Sequence, residues 1–154
     1  MKYNEIVGAA RVENFDWILT NLGFKVISMA VQNRDVDLWV FSRNQLILVA
    51  EITNWRDTSI MSRKKARSFR FNFTNYDCHK LLVVSFLSNI GVYRDYVDED
   101  VDVLEMGFQT QPFYGYNAEL TSEGMNPHDD TTRLEVIRLV TNYLISKGLI
   151  VRRT

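Results

Sequence analysis

The stretch VDLWVFSRNQLILVAEITNW, residues 36–55, decides the fold. Two runs rich in β-branched and aromatic residues, 36–42 and 45–53, flank Arg43-Asn44, and the whole reads as a tight β-hairpin. Upstream, FKVISMAV (24–31) has the same character and is separated from the hairpin by the turn-forming QNRD, which predicts an antiparallel three-strand meander. Downstream, the alternation stops at Asp57. DTSIMSRKKARSFRFNF then reads as a helix, with Asp57 or Thr58 as N-cap and Ala66, Phe69 and Phe73 as its buried stripe.

The remaining elements complete the pattern. Residues 3–22 place Ile6, Ala9, Ala10, Phe15, Trp17, Ile18 and Leu22 largely on one side of a helix that Asn21-Leu22-Gly23 stops. HKLLVVSFLS (79–88) is almost continuously apolar, the pattern of a strand covered on both faces and expected at the centre of a sheet. GVYRDYVDED (91–100) reads as a short helix and VDVLEMG (101–107) as a further strand, so the two strands are expected to run parallel across a helical crossover. Residues 108–127 hold both prolines and no sustained period, and read as a long loop or small hairpin excursion. The C-terminal helix is expected over 129–147, with Asp129, Asp130 and Thr131 as caps, Leu134, Ile137, Val140 and Leu144 as its apolar stripe, and a stop at Lys147-Gly148. The layer rule turns this order into an α/β three-layer sandwich, a central mixed β-sheet flanked by helices, in a single domain of 154 residues with its core in 1–107.

Composition narrows the function classes. Eighteen Lys and Arg against 19 Asp and Glu give a net charge of −1, so attraction to nucleic acid or membrane has to come from a local patch. The longest apolar run, LLVVSFL (81–87), is far short of the ~20 residues that span a bilayer, which excludes a transmembrane role. One cysteine, Cys78, makes no internal disulfide, and the N-terminal residues lack the apolar core of a secretory signal; an intracellular protein is expected.

Two carboxylates on the apolar hairpin need a reason. Period two puts Glu51 and Thr53 on one face of the third strand and Asp35 and Asp37 on one face of the second, or at its entrance. Pairing Ser42 with Gln45 sets Asp37 opposite Ala50, and a shift of one residue sets it opposite Glu51. Adjacent carboxylates repel unless a proton or cation lies between them, and Mg²⁺ or Mn²⁺ needs only one or two protein carboxylates beside water and a substrate phosphate. The bland alternative is a turn with exposed acids at Asp35 and Asp37 and an ion pair between Glu51 and Arg56.

GAARVENFDWILTNLGFKVI (8–27), NRDVDLWVF (33–41), LILVAEIT (46–53) and the basic helix that follows, taken in order, resemble the PD-(D/E)XK nuclease superfamily, nearest its Holliday-junction-resolvase-like and small archaeal-type members. Gly8, Glu13, Asp37 and Glu51 match the family's motif places, and the resemblance covers about the first ninety residues. It implies a restriction-endonuclease-like fold and a Mg²⁺- or Mn²⁺-dependent nuclease that hydrolyses DNA, duplex or branched. Asp37 and Glu51 would be metal ligands with the backbone carbonyl of Ile52 as a further one, Glu13 a helix acid that binds metal indirectly or positions water, and a homodimer the expected grip on DNA. The sequence departs from the family at Thr53, where a lysine is expected. That lysine orients the attacking water and stabilises the developing charge, and Lys64 or Lys65 on the next helix would have to supply it. Otherwise the chain is a nuclease-fold binding or structural module without catalysis.

The same helix suggests how nucleic acid would be held. Arg63, Lys64, Lys65, Arg67 and Arg70 put five cations within eight residues, and Arg63, Arg67 and Arg70 share a face by i, i+4, i+7 spacing, a candidate phosphate contact or else a merely solvated face. Other chemistry lacks support. His79, His128 and Cys78 cannot make a zinc site at the usual spacing, and no nucleotide-binding or serine-hydrolase motif is present. Phe108, Phe113, Tyr114 and Tyr116 read as cover for a core edge or a dimer contact before base stacking.

Overall fold

Arg43 and Asn44 take φ angles of 52° and 64°, the left-handed pair that lets a two-residue turn match the twist of its strands. The structure is a computed structural model that describes residues 3–28, 36–53, 55, 60–90, 97–108 and 130–151. Around that turn, β2 (Leu38–Ser42) and β3 (Gln45–Ile52) are antiparallel, and β1 (Lys25–Ser28) pairs antiparallel with β2. Residues 29–31 of the first expected strand, and Asp35 in the turn after it, lie outside the described residues. β4 (His79–Val84) runs parallel to β3, and β5 (Val101–Glu105) parallel to β4. The sheet is mixed, with order β1-β2-β3-β4-β5. Its middle strand is therefore β3, and the apolar run expected at the centre lies one place toward the β5 edge. Both faces of β4 are nevertheless covered, since Leu81 and Val83 join one core and Leu82 and Val84 the other.

Helices lie against both faces. α1 (Tyr3–Asn21) contributes Val12, Phe15, Ile18 and Leu19, and α3 (Asp130–Ser146) contributes Val136, Val140 and Leu144, to the core that includes Leu38, Val40, Leu48, Ala50 and Ile52. α1 stops at Gly23, whose φ of 99° lets the chain turn back so that the Phe24 N–H reaches the Leu19 carbonyl at 3.1 Å. On the other face α2 (Arg63–Thr74) sets Ala66, Phe69 and Phe73 against Val36, Val49, Leu82 and Val84. The result is an α/β architecture compatible with a three-layer sandwich. Among the described residues no helix is long and apolar enough to cross a membrane.

Several boundaries differ from the sequence reading. α2 starts after Ser62, whose hydroxyl accepts the Lys65 N–H at 3.1 Å. Asp57 and Thr58 lie outside the described residues, and Ile60 and Met61 are not helical. Met61, buried in the same core as Ala66, occupies the place of a hydrophobic staple just before the cap, which favours the later start. Most of the expected helix over 91–100 lies outside the described residues, 91–96 among them; 97–100 form a turn in which the Val101 N–H reaches the Asp98 carbonyl at 3.0 Å, and a 3-10 turn at Leu87–Ile90 follows β4. Leu134 is 61% exposed, so the buried stripe of α3 runs through Val136, Val140 and Leu144 instead. The excursion from 109 to 127, with His128 and the cap residue Asp129, also falls outside the described residues.

The hairpin contains one irregularity that matters for the site. Ser42 pairs with Gln45 and Phe41 with Leu46, but Val40 pairs with Leu48 and Leu38 with Ala50. Ile47 is the extra residue of a β-bulge. Leu46 packs on the α2 side, whereas Ile47 and Leu48 both pack on the α1 side. Every later residue of β3 is thereby flipped relative to strict alternation from the turn, and Val49 and Glu51 come to the α2 side.

Candidate functional site

Carried one residue past Leu38, this register sets Asp37 against Glu51, both on the face that α2 covers. Asp37 is 9% exposed and Glu51 6%, an arrangement that costs desolvation twice and mutual repulsion once. Each carboxyl has an N–H donor on one oxygen. The Ile52 N–H donates to Asp37 Oδ2 at 2.7 Å, and Asn72 Nδ2 of α2 donates to Glu51 Oε1 at 2.8 Å. Burial pushes the Glu51 carboxyl up to about 8, the neighbouring Asp37 adds to the rise, and the Asn72 hydrogen bond and the Lys65 charge only partly oppose it. A group so placed takes up a proton or a cation readily near neutral pH.

The backbone at this point turns the right atoms toward the pair. Thr53 N–H goes to the Val83 carbonyl at 2.9 Å, across to β4, so the amide of Ile52 faces the opposite edge, where Asp37 receives it. The Ile52 carbonyl lies on that same edge, since the N–H and C=O of one residue in an extended strand point the same way. Thr53 itself is 6% exposed and donates its hydroxyl to the Val83 carbonyl at 3.0 Å. Its side chain ties β3 to β4 and brings no charge.

α2 supplies what Thr53 does not. Lys65, Phe69 and Asn72 follow at i, i+4 and i+7 and share one stripe of the helix. Lys65 Nζ lies 5.2 Å from the centre of the Phe69 ring, a cation–π contact. It lines a cavity of about 30 Å³ with Glu51, Ile52, Thr53, Trp55 and Phe69, room for one or two waters. Trp55 stacks on Phe69 at 6.5 Å and 21°, and its carbonyl accepts the Ser85 hydroxyl at 2.5 Å, which holds this wall of the cavity to the end of β4.

The structure therefore gathers Asp37, Glu51, Ile52 and Lys65. Lys64 is exposed on α2 and does not line the cavity, and Arg63, Arg67 and Arg70 are exposed on the same helix. Arg70 lies 3.7 Å from Asp98. Glu13 is exposed on α1, whose packing residues cover the other face of the sheet, so it is not brought to the pair. Arg56, the alternative partner of Glu51, is outside the described residues; the side chain that meets Glu51 is Asn72. Sequence reading missed Asn72 and Trp55. The signal for Asn72 was its i+7 spacing from Lys65.

A larger cleft of about 630 Å³ opens at the other end of the sheet, lined in part by Cys78, His79, Asp100, Asp102 and Lys147. Two of its acids, Asp100 and Asp102, are structurally engaged. Lys80 Nζ meets Asp100 at 2.7 Å, and Asp102 receives both Tyr143 Oη at 2.8 Å and Lys147 Nζ at 3.0 Å. Cys78 is half-buried, and burial pushes its thiol up, away from nucleophilic use. Size alone would favour this cleft; the acid pair with its nearby lysine favours the smaller one.

Compared with family models, with curated proteins and with solved structures, the chain matches none. The functional reading rests on the site itself.

Proposed function

We propose that the protein is a metal-dependent nuclease of the PD-(D/E)XK, restriction-endonuclease-like kind that hydrolyses DNA phosphodiester bonds. The observation that carries this reading is the pairing of Asp37 with Glu51 at the carboxyl end of β3, beside Lys65. Open α/β sheets place ligands at the carboxyl ends of their strands. The donor set suits Mg²⁺ or Mn²⁺: two oxygen acids, each with one oxygen held by an N–H donor, and the Ile52 carbonyl on the same edge. Among the described residues no group of three or more His, Cys, Asp or Glu is poised for a metal, so water and a substrate phosphate would complete the shell. Such an ion, when bound, supplies Lewis-acid charge and a more acidic water.

The chain's own groups do the rest of the work in this account. Asn72 and the Ile52 amide each fix one oxygen of a carboxyl and leave the other for a cation. Lys65 takes the place of the lysine that the family carries where Thr53 stands, and offers its ammonium to charge developing on phosphorus oxygens. Arg63, Lys64, Arg67 and Arg70 contact the DNA backbone outside the cavity. Plasmid cleavage with Mg²⁺ or Mn²⁺ tests the reading: wild type cuts, and Asp37→Ala and Glu51→Ala do not. Cleavage that survives both substitutions removes the site from the account.

One observation favours a second reading. The carboxyls are nearly buried and the cavity beside them has room for about one or two waters, as suits a nuclease-fold module that binds nucleic acid without cutting it. DNA binding by the wild type with no cleavage under either metal selects this alternative.

A further inference from the structure

The exposed side of α2 carries an aromatic ring that packing does not explain. Phe71 is 70% exposed, whereas Phe69 and Phe73 on the same helix are buried. On the helix, Arg67 lies one turn before Phe71 at i−4 and Lys64 two turns before it at i−7, while Arg63, Arg67 and Arg70 run alongside. Phe69 and Phe73, its neighbours by two residues on either side, point into the core, so the helix does not need Phe71 for its own packing. All four cations are exposed, and among the described residues Arg70 has an acid, Asp98, at 3.7 Å.

We infer that this face binds single-stranded nucleic acid, with Phe71 as the platform on which an unpaired base stacks and Arg63, Lys64 and Arg67 as the contacts to its phosphates. A ring bordered by cations complements a strand whose phosphates are anionic and whose bases have free π-faces; in a continuous duplex those faces are already stacked. The face therefore selects unpaired bases over duplex, and it deepens the proposed function by naming the form of substrate. It rests on the nucleic-acid part of that reading and on none of its metal chemistry.

The test is fluorescence anisotropy of the full chain with labelled dT15 and with a 15-base-pair duplex at one fixed salt concentration. Wild type binds dT15 the more tightly. Phe71→Ala weakens dT15 binding about 5- to 150-fold, the range of a lost base–aromatic stack, and changes duplex binding less than about twofold. Phe71→Leu, which keeps the apolar surface without the π-face, behaves as the alanine variant. Arg67→Ala lowers the slope of log affinity against log salt for dT15 by about 0.7. Unchanged dT15 affinity in Phe71→Ala, full affinity in Phe71→Leu, or wild-type preference for phosphatidylserine vesicles over dT15 each overturns the inference, the last by assigning the face to a membrane surface. Circular dichroism confirms that both variants fold, as an exposed position predicts. Cleavage is a separate readout: tight dT15 binding without cleavage sinks the nuclease reading and leaves this one standing.

Discussion

Asp37 stands against Glu51, on the α2 side of the sheet, because β3 carries Ile47 as an extra residue opposite Val40. With strict alternation from the Arg43-Asn44 turn, Asp37 would keep the α2 side while Glu51 faced α1, and the sheet would separate the two carboxyls. The bulge makes a site out of two acids that would otherwise be unrelated. Four consequences can be measured.

Stability should fall as pH rises through neutrality when no divalent ion is present. The Glu51 carboxyl titrates near 4.5 as an unperturbed group and near 8 in the fold, so the native state holds a proton that the unfolded chain has lost. That contribution is fully present below about pH 4.5, declines across the interval, and is gone above about 8. Thermal melts in EDTA are expected to show a Tm that drops from pH 5 to pH 8.5, and Glu51→Gln is expected to flatten the drop. A Glu51→Gln profile parallel to wild type would show that another group sets the slope.

Asn72→Ala removes the side-chain amide that donates to Glu51 Oε1. A hydrogen bond to a charged, partly buried carboxylate contributes about 1.5–3 kcal/mol, and about half that when the carboxyl is protonated. Urea unfolding should therefore show a larger loss at pH 9 than at pH 6. An equal loss at both values would mean that Asn72 acts through packing alone.

Lys64 and Lys65 are neighbours in sequence with different surroundings. Lys65→Ala removes the ammonium that lines the cavity, and is expected to lower the cleavage rate by about 10²- to 10³-fold, the usual cost of losing one charge-stabilising donor. Lys64→Ala is expected to weaken DNA affinity modestly and leave the rate at saturating DNA within a few-fold. The reverse ranking would move the cationic role to Lys64.

Phe69 closes α2 on the sheet and forms one wall of the cavity, with 2% of its surface exposed. Phe69→Ala should cost about 3–5 kcal/mol in urea unfolding, as a buried large-to-small change does. Phe71→Ala, two residues on, should cost less than about 0.5 kcal/mol because its ring is exposed. Similar losses at both positions would contradict the orientation of the helix.

Much of this arrangement was legible in the residues, and the exceptions have local causes. The Arg43-Asn44 turn, the meander and the buried stripe Ala66, Phe69 and Phe73 follow from short-range chemistry. The bulge does not: Ile47 and Leu48 are both apolar, either can face a core, and only their place in the core shared by α1 and α3 shows that both face the same one. Asp57 and Thr58 are good caps by type and suggest an earlier start for α2, while Ser62, the actual cap, gains from the buried Met61 before it. Asn72 carries no chemical signature of its own, and its meeting with Glu51 is a tertiary contact between elements 21 residues apart. Glu13 fits a motif by spacing, yet α1 takes it to the far face of the sheet.

The central claim is that Asp37 and Glu51 together bind a divalent cation. Titration of the metal-free protein with Mn²⁺ at pH 8, with free Mn²⁺ followed by electron paramagnetic resonance, measures this without any nucleic acid. Wild type is expected to bind one Mn²⁺ per chain, and both Asp37→Asn and Glu51→Gln to lose that ion, with each variant folded by circular dichroism. Wild type that binds no Mn²⁺, or variants that bind it as wild type does, would contradict that claim.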